Sequence, residues 1–325
     1  MRIPPPVRRA PVVPAPRVAT SDTTVSWTSR GPVDVASTLS RLGRGPGDPT
    51  HRVDDSGAIW RTSRTTEGPS TYRLVQLTRD TVRCDAWGPG CDRAVRDLPD
   101  LLGERDDASD FEPRLAVIAE AHRRHPGLRV PRTARVLDAL MAAVIEQRVV
   151  TLDAHASWRR LVLRFGDPAP GPAPVGMRVP PSPAQWLAIP SWEWHRAGVD
   201  ARRARTALAC AQVAGRVEET ARLPLPEAYT RLTAIPGVGA WTAAEVAQRA
   251  WGDADAVSVG DFHLATMVGW TFLGRPVDDA EMLDVLAPWR PHRYRLIRLL
   301  DVSGGWRRPR FGPRAPRQPA YQRHF

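Results

Sequence analysis

The sequence predicts a mainly α-helical chain preceded by a small α+β domain, and three observations carry that expectation. From about residue 110 to residue 300 apolar residues recur at helical spacing. Before that, short alternating runs are separated by Gly, Pro and Asp clusters, which is the pattern of β-hairpins. At 226–250 a periodic segment is broken by Pro236, Gly237 and Gly239 and restarts at once, giving helix, tight turn, helix.

Taken in order, residues 1–20 are rich in Pro and Arg and are expected to be disordered. Residues 21–107 form the α+β domain, with strands expected at 23–27, 58–62, 72–77 and 82–87. One helix is expected at 33–42, stopped by Gly43. The acidic stretch 106–110 marks a boundary, and 108–306 is the helical domain. There Leu115, Ile118 and His122 share a face until Pro126 and Gly127 end the helix. Val136, Leu137, Leu140, Met141, Val144 and Ile145 make an apolar stripe. The Pro-rich stretch 167–184 reads as a long loop, after which Ser182 and Pro183 cap a helix through Trp186 and Leu187. Asp200 opens another helix, whose Arg202, Arg203 and Arg205 are either a solvated face or an edge turned to phosphates. Beyond the hairpin come a turn at 251–255, an apolar run (Ala256, Val257, Val259) and a helix opened by 260–263. The last element is expected at 291–300, and 307–325 is a basic disordered tail.

The formal charge of +11 suggests a polyanionic partner, but its distribution matters more than its size. Residues 1–20 hold four arginines and 307–325 hold six, with no acid in either; 36 basic against 35 acidic residues remain between them. Binding of a polyanion by the body therefore needs a local basic face and backbone amides. All 46 basic residues are arginine. Three cysteines (Cys84, Cys91, Cys210) provide no disulfide framework and fit a reducing, cytoplasmic setting. No apolar run approaches the ~20 residues of a membrane span, and the N-terminus lacks a signal-peptide core. The eight histidines are scattered without paired ligand spacing.

The hairpin Ile235-Pro236-Gly237-Val238-Gly239-Ala240-Trp241 ends one helix and starts the next with unpaired N–H groups, a site suited to an anion such as a phosphate diester. The glycines, able to take φ > 0, let another backbone come close. Asp261 follows 22 residues after Gly239, at a helix start where an acid ordinarily serves as a cap. With 125–129 (His-Pro-Gly-Leu-Arg), 144–150 (Val-Ile-Glu-Gln-Arg-Val-Val) and 287–294 (Ala-Pro-Trp-Arg-Pro-His-Arg-Tyr), the chain resembles the helix-hairpin-helix/Gly-Pro-Asp DNA glycosylases. The likeness is to the bacterial 3-methyladenine DNA glycosylase II type, over most of 110–306. It implies two helical lobes, an α+β N-terminal domain, and a monomeric, nucleoid-associated enzyme. Its partner would be double-stranded DNA containing a damaged base, whose N-glycosidic bond it hydrolyses in base excision repair.

The resemblance also implies roles. Asp261 is the catalytic carboxylate: breaking the bond builds positive charge on the sugar, which an ionised carboxylate stabilises. Gly237, Val238, Gly239, Ala240 and Thr242 grip the DNA backbone. Gln147 and Arg148 enter the helix where the base is extruded. Trp241 is a stacking surface for the flipped base and Phe262 a second wall. The carbonyls of Thr233, Ile235 and Val238 are a site for a monovalent cation. Relatives that also cut the strand carry a lysine where this chain has Trp241, and the absence of lysine makes it monofunctional. The iron–sulfur cluster of some relatives needs four cysteines near the C-terminus, and none lies beyond Cys210, so no such cofactor is expected.

The chain departs from that type in two places. Glu245 and, by alignment to Trp306, Asp301 stand where aromatics are expected. Either these acids make the pocket more acidic and select a cationic alkylated purine or an exocyclic amine, or the alignment slips and both face solvent. A neutral lesion would need a proton donor, for which Glu245, His263 and Asp301 are candidates. Two other readings stay open: a non-catalytic hairpin protein that only grips phosphates, and a regulator with a protein partner.

Overall fold

The computed structural model describes residues 21–307; the tails 1–20 and 308–325 lie outside the described residues. Five antiparallel strands, β1 (Thr23–Thr28), β2 (His51–Val53), β3 (Ile59–Thr65), β4 (Gly68–Gln76) and β5 (Thr81–Trp87), form one sheet in the order β1-β5-β4-β3-β2. One face is covered by α1 (Val35–Leu39), α2 (Cys91–Arg96) and α3 (Leu98–Leu101), burying Val35, Leu39, Tyr72, Leu74, Val82 and Leu98. Helix α1 is capped by Asp34, which accepts the Ser37 N–H at 2.9 Å, and it continues into a 3-10 turn, Ser40–Leu42. The other face carries Trp60 and Trp87, stacked at 5.4 Å with Met177 against them.

That second covering corrects the reading of 167–184 as loop. The segment contains a two-residue ladder, β6 (Asp167–Pro168) with β7 (Arg178–Val179), and is strapped to the sheet. Thr62 donates to the Arg178 carbonyl at 2.6 Å and Arg64 to that of Pro180 at 2.9 Å. Prolines remove ladder donors, so pairing stops after two residues and leaves little trace in the sequence pattern.

The helices build two further cores. The first is organised around α5 (Val136–Glu146), in which every residue from Ala139 to Ile145 is buried. Around it pack α6 (Thr151–Phe165), α7 (Pro183–Leu187), α8 (Ser191–Ala197), α9 (Ala201–Gln212), α10 (Ala214–Glu219), α11 (Leu225–Thr233) and α12 (Ala240–Val246). The second joins α4 (Ala116–Arg124), lying before α5 in the chain, to α13 (Leu264–Phe272), α14 (Asp279–Leu286) and α15 (Arg293–Ser303). Helix α12 runs on as a π-helical turn, Ala247–Trp251, before Gly252 at φ 73° ends it. The two cores are joined there: Arg293 on α15 makes a two-bond clamp on Asp255, at 2.8 and 2.7 Å. No helix among the described residues is long and apolar enough to cross a membrane.

Candidate active site

Helices α11 and α12 are the arms of the hairpin. The turn closes through Ile235 N–H to the Leu232 carbonyl (3.1 Å) and Val238 N–H to that of Ile235 (3.0 Å), with the Val238 side chain buried as its plug. The two glycines do different jobs. Gly237 takes φ 89°, and a Cβ there would meet Thr206 Oγ1 of α9 at 2.2 Å. Gly239 has φ −104°, so the expectation of a left-handed conformation holds for Gly237 alone. A Cβ on Gly239 would meet nothing within 4 Å: that position faces open space, where another backbone can approach. The N–H groups of Gly239, Ala240, Trp241 and Thr242 have no acceptor among the described residues, and Gly239 and Ala240 are exposed. Thr242 is buried, and its hydroxyl accepts from Gln147.

Gln147 and Arg148, expected as a pair of wedges, separate in the structure. Gln147 donates to the Gly237 carbonyl and to Thr242 Oγ1, both at 2.9 Å, and so braces the hairpin against the end of α5. Arg148 is exposed and held at φ 52°, a conformation that costs a non-glycine residue about 1–2 kcal/mol. On α9 the arginines divide in the same way. Arg203 turns inward to the Ile145 and Gly198 carbonyls, at 2.7 and 3.0 Å, while Arg202 and Arg205 are exposed.

Asp261 lies at the mouth between the two helical cores, just before α13. Its Oδ1 accepts the N–H groups of His263 (2.8 Å) and Leu264 (3.0 Å), so it is the helix cap that its position suggests. Its Oδ2 accepts Trp241 Nε1–H at 3.3 Å. The indole of the hairpin helix and the carboxylate of the following core thus meet, and Asp261 is left partly exposed. Gly260, at φ 87°, makes the bend that aims it. Phe262 forms no wall in this arrangement: it is 89% exposed and lies edge-on to His263, itself exposed, at 4.8 Å between ring centres.

The expected acidic pocket is corrected. Glu245 is buried, bonded to Arg249 Nη1 at 2.7 Å and to the Ser258 hydroxyl at 2.6 Å. Burial alone would raise its pKa, but Arg249, Arg41 and the Ser258 hydrogen bond lower it below the usual carboxylate range. Ser258 also accepts the Asp261 N–H at its carbonyl, at 3.1 Å, which makes Glu245 a support under the Asp261 turn. Asp301 is exposed, 3.2 Å from Arg298 and accepting Trp306 Nε1–H at 2.8 Å. Both acids therefore carry arginine partners. The i,i+4 spacing of Glu245 and Arg249 is a sequence signal for that pair; nothing in the helical pattern points to Ser258.

No family model matches the chain. A solved structure described as a 3-methyladenine DNA glycosylase from Archaeoglobus fulgidus superposes with a TM-score of 0.71 at 18% identity, covering 85% of this chain and 96% of that one. The chain has the fold of the helix-hairpin-helix DNA glycosylases. An 8-oxoguanine glycosylase/lyase from Clostridium acetobutylicum shares this fold, with a TM-score of 0.66 at 11% identity over 86% and 95% of the two chains. In sequence, the chain is 32% identical over 179 residues to a Mycobacterium tuberculosis protein named "Probable bifunctional transcriptional activator/DNA repair enzyme AlkA". The match takes in 55% of this chain and 34% of the relative, so the chain spans about a third of that protein's length.

Proposed function

We propose that the chain is a monofunctional DNA glycosylase acting in base excision repair on a damaged base flipped out of duplex DNA. The observation that carries this reading is the meeting of Trp241 and Asp261 at 3.3 Å beside a row of unpaired hairpin N–H groups. The N–H groups and the space over Gly239 suit a phosphate diester. Arg148 fills the vacated stack, with the cost of its backbone conformation supported by the surrounding helices. Trp241 offers a face to the extruded base.

In the reaction the bond between C1′ and the base nitrogen breaks, its electron pair leaves with the base, and water adds at C1′. The base collects one proton and the sugar keeps the hydroxyl. Positive charge builds on the sugar before water adds, and Asp261 is fixed in advance to face it: two backbone N–H groups hold one oxygen, so little reorganisation is needed. With no lysine to attack C1′, the product is an intact strand with an abasic site. A monovalent cation at the hairpin belongs to the same proposal. The Thr233 and Val238 carbonyls accept no hydrogen bond among the described residues and that of Ile235 accepts one, so acceptor capacity is present. The enzyme is taken to act as a monomer on the chromosome, and its three unpaired buried cysteines suit a reducing compartment.

The test is incubation of the full chain with duplexes carrying alkylated, deaminated or oxidised bases, followed by alkali. Strand breaks are expected only after alkali. Breaks before alkali would refute the monofunctional assignment, and DNA binding without release of any base would leave a non-catalytic hairpin protein.

A further inference from the structure

Where the 3-10 turn Ser40–Leu42, the α12 extension and α15 meet, the charges do not balance. Glu245 pairs with Arg249 at 2.7 Å, Glu146 with Arg44, and Asp301 with Arg298 at 3.2 Å. Arg41, in the 3-10 turn Ser40–Leu42 of the N-terminal domain, is the cation left over. Its turn is pinned from both helices. Arg249 of the α12 extension donates to the Arg41 carbonyl at 3.1 Å, and Arg298 of α15 donates to the Ser37 carbonyl at 2.9 Å and the Ser40 hydroxyl at 3.0 Å. The guanidinium itself makes no hydrogen bond or ion pair among the described residues. Solvent reaches it. Burial weighs against its charge, yet Tyr294, Asp301, Glu245 and Glu146 outweigh that and raise its pKa above the ordinary value. Trp241, Glu245 and Arg249 stand at four-residue spacing on one face of α12 and its extension, Glu245 holds Ser258 under the Asp261 turn, and Arg249 holds the Arg41 carbonyl, which brings Arg41 to the side of the helix that carries Trp241 and Asp261.

We propose that Arg41 donates hydrogen bonds to the acceptor edge of the extruded base, selecting an uncharged purine lesion with a ring carbonyl or a free N7 over a cationic alkylated purine. This rests on the glycosylase reading above and reverses the charge preference expected from Glu245 and Asp301. A guanidinium offers five N–H donors in a planar fork that fits such an edge, and its charge disfavours a cation in the same space.

The experiment measures kcat/KM of the wild-type chain and of Arg41→Met and Arg41→Lys on duplexes carrying hypoxanthine, 8-oxoguanine or 7-methylguanine. The wild type is expected to prefer an uncharged lesion. Arg41→Met is expected to lower kcat/KM on that lesion by roughly tenfold to a hundredfold and to raise it on 7-methylguanine, while Arg41→Lys, which keeps the charge, still disfavours 7-methylguanine. An equal loss on every lesion would assign Arg41 a structural role and overturn the inference, as would a lesion preference that neither substitution changes. Wild-type protein that binds DNA but releases no base from any duplex overturns the glycosylase reading itself, and this inference with it.

Discussion

Asp261 divides its two carboxylate oxygens between two tasks, one capping α13 and one facing Trp241 across the mouth of the cleft. Its cap geometry fixes the direction of its charge, so the proposed catalytic group is also a helix cap. With Ala134, Arg148 is one of two non-glycine residues at positive φ among the described residues. Replacing it by glycine relieves the left-handed conformation, and the variant should gain about 1 kcal/mol of stability in a thermal melt. The same variant loses its wedge. Unstacking and unpairing a base cost a few kcal/mol, so excision from duplex DNA should fall by roughly tenfold to a hundredfold. A variant that is more stable and equally active would show that Arg148 does not fill the stack. Gln147 was not legible as a brace, because its partners lie 90 and 95 residues away on the hairpin.

At the level of elements, the hairpin shows how two glycines in one motif separate stability from binding. Gly237→Ala puts a Cβ against Thr206 at a φ that disfavours it, and should destabilise by about 2 kcal/mol or more. Gly239→Ala meets open space, so stability should change by no more than about 1 kcal/mol, while DNA affinity drops because the added methyl occupies the approach of a phosphate. Melting curves and fluorescence anisotropy distinguish the two, and equal DNA affinity for Gly239→Ala and wild type would place the backbone elsewhere. Helix α5 yields a pH prediction. Asp138 lines a cavity of about 70 Å³ between α5 and the sheet and has no hydrogen-bond partner among the described residues. Burial first, and Glu218 second, raise its pKa to about 7 against the pull of Arg135, Arg64 and Arg61. The folded state then holds a proton that the unfolded state releases near pH 4, so stability declines as pH rises from about 4 to about 7. Asp138→Asn should raise Tm, and by more at pH 8 than at pH 5; a gain independent of pH would contradict the protonated carboxyl.

Across the whole molecule, the helical segments were the most legible part, because α5 is a long continuous apolar run and α11 buries Ala228 and Leu232 at helical spacing. Strand β3 was less so: it is buried on both faces, by α1–α3 on one side and the 167–184 strap on the other, and its edges could not be placed by alternation. Helix α6 hides because small residues, Ala154 and Ser157, share its buried face with Trp158 and Leu161. The spacing of Gly239 and Asp261 pointed to the candidate site, yet the charge around it could not be read locally. Glu245 looks like a free acid until Arg249 and Ser258 fold around it, and Arg41, bonded through its carbonyl to Arg249, lies some 200 residues before Trp241 in the chain. The account turns on Asp261 as the group that stabilises the sugar cation, and single-turnover base release by Asp261→Asn tests it most directly. The asparagine keeps an oxygen for the cap but removes the charge. Release should fall by roughly a hundredfold to a thousandfold with DNA affinity and Tm near wild type, whereas release at the wild-type rate would contradict the catalytic assignment.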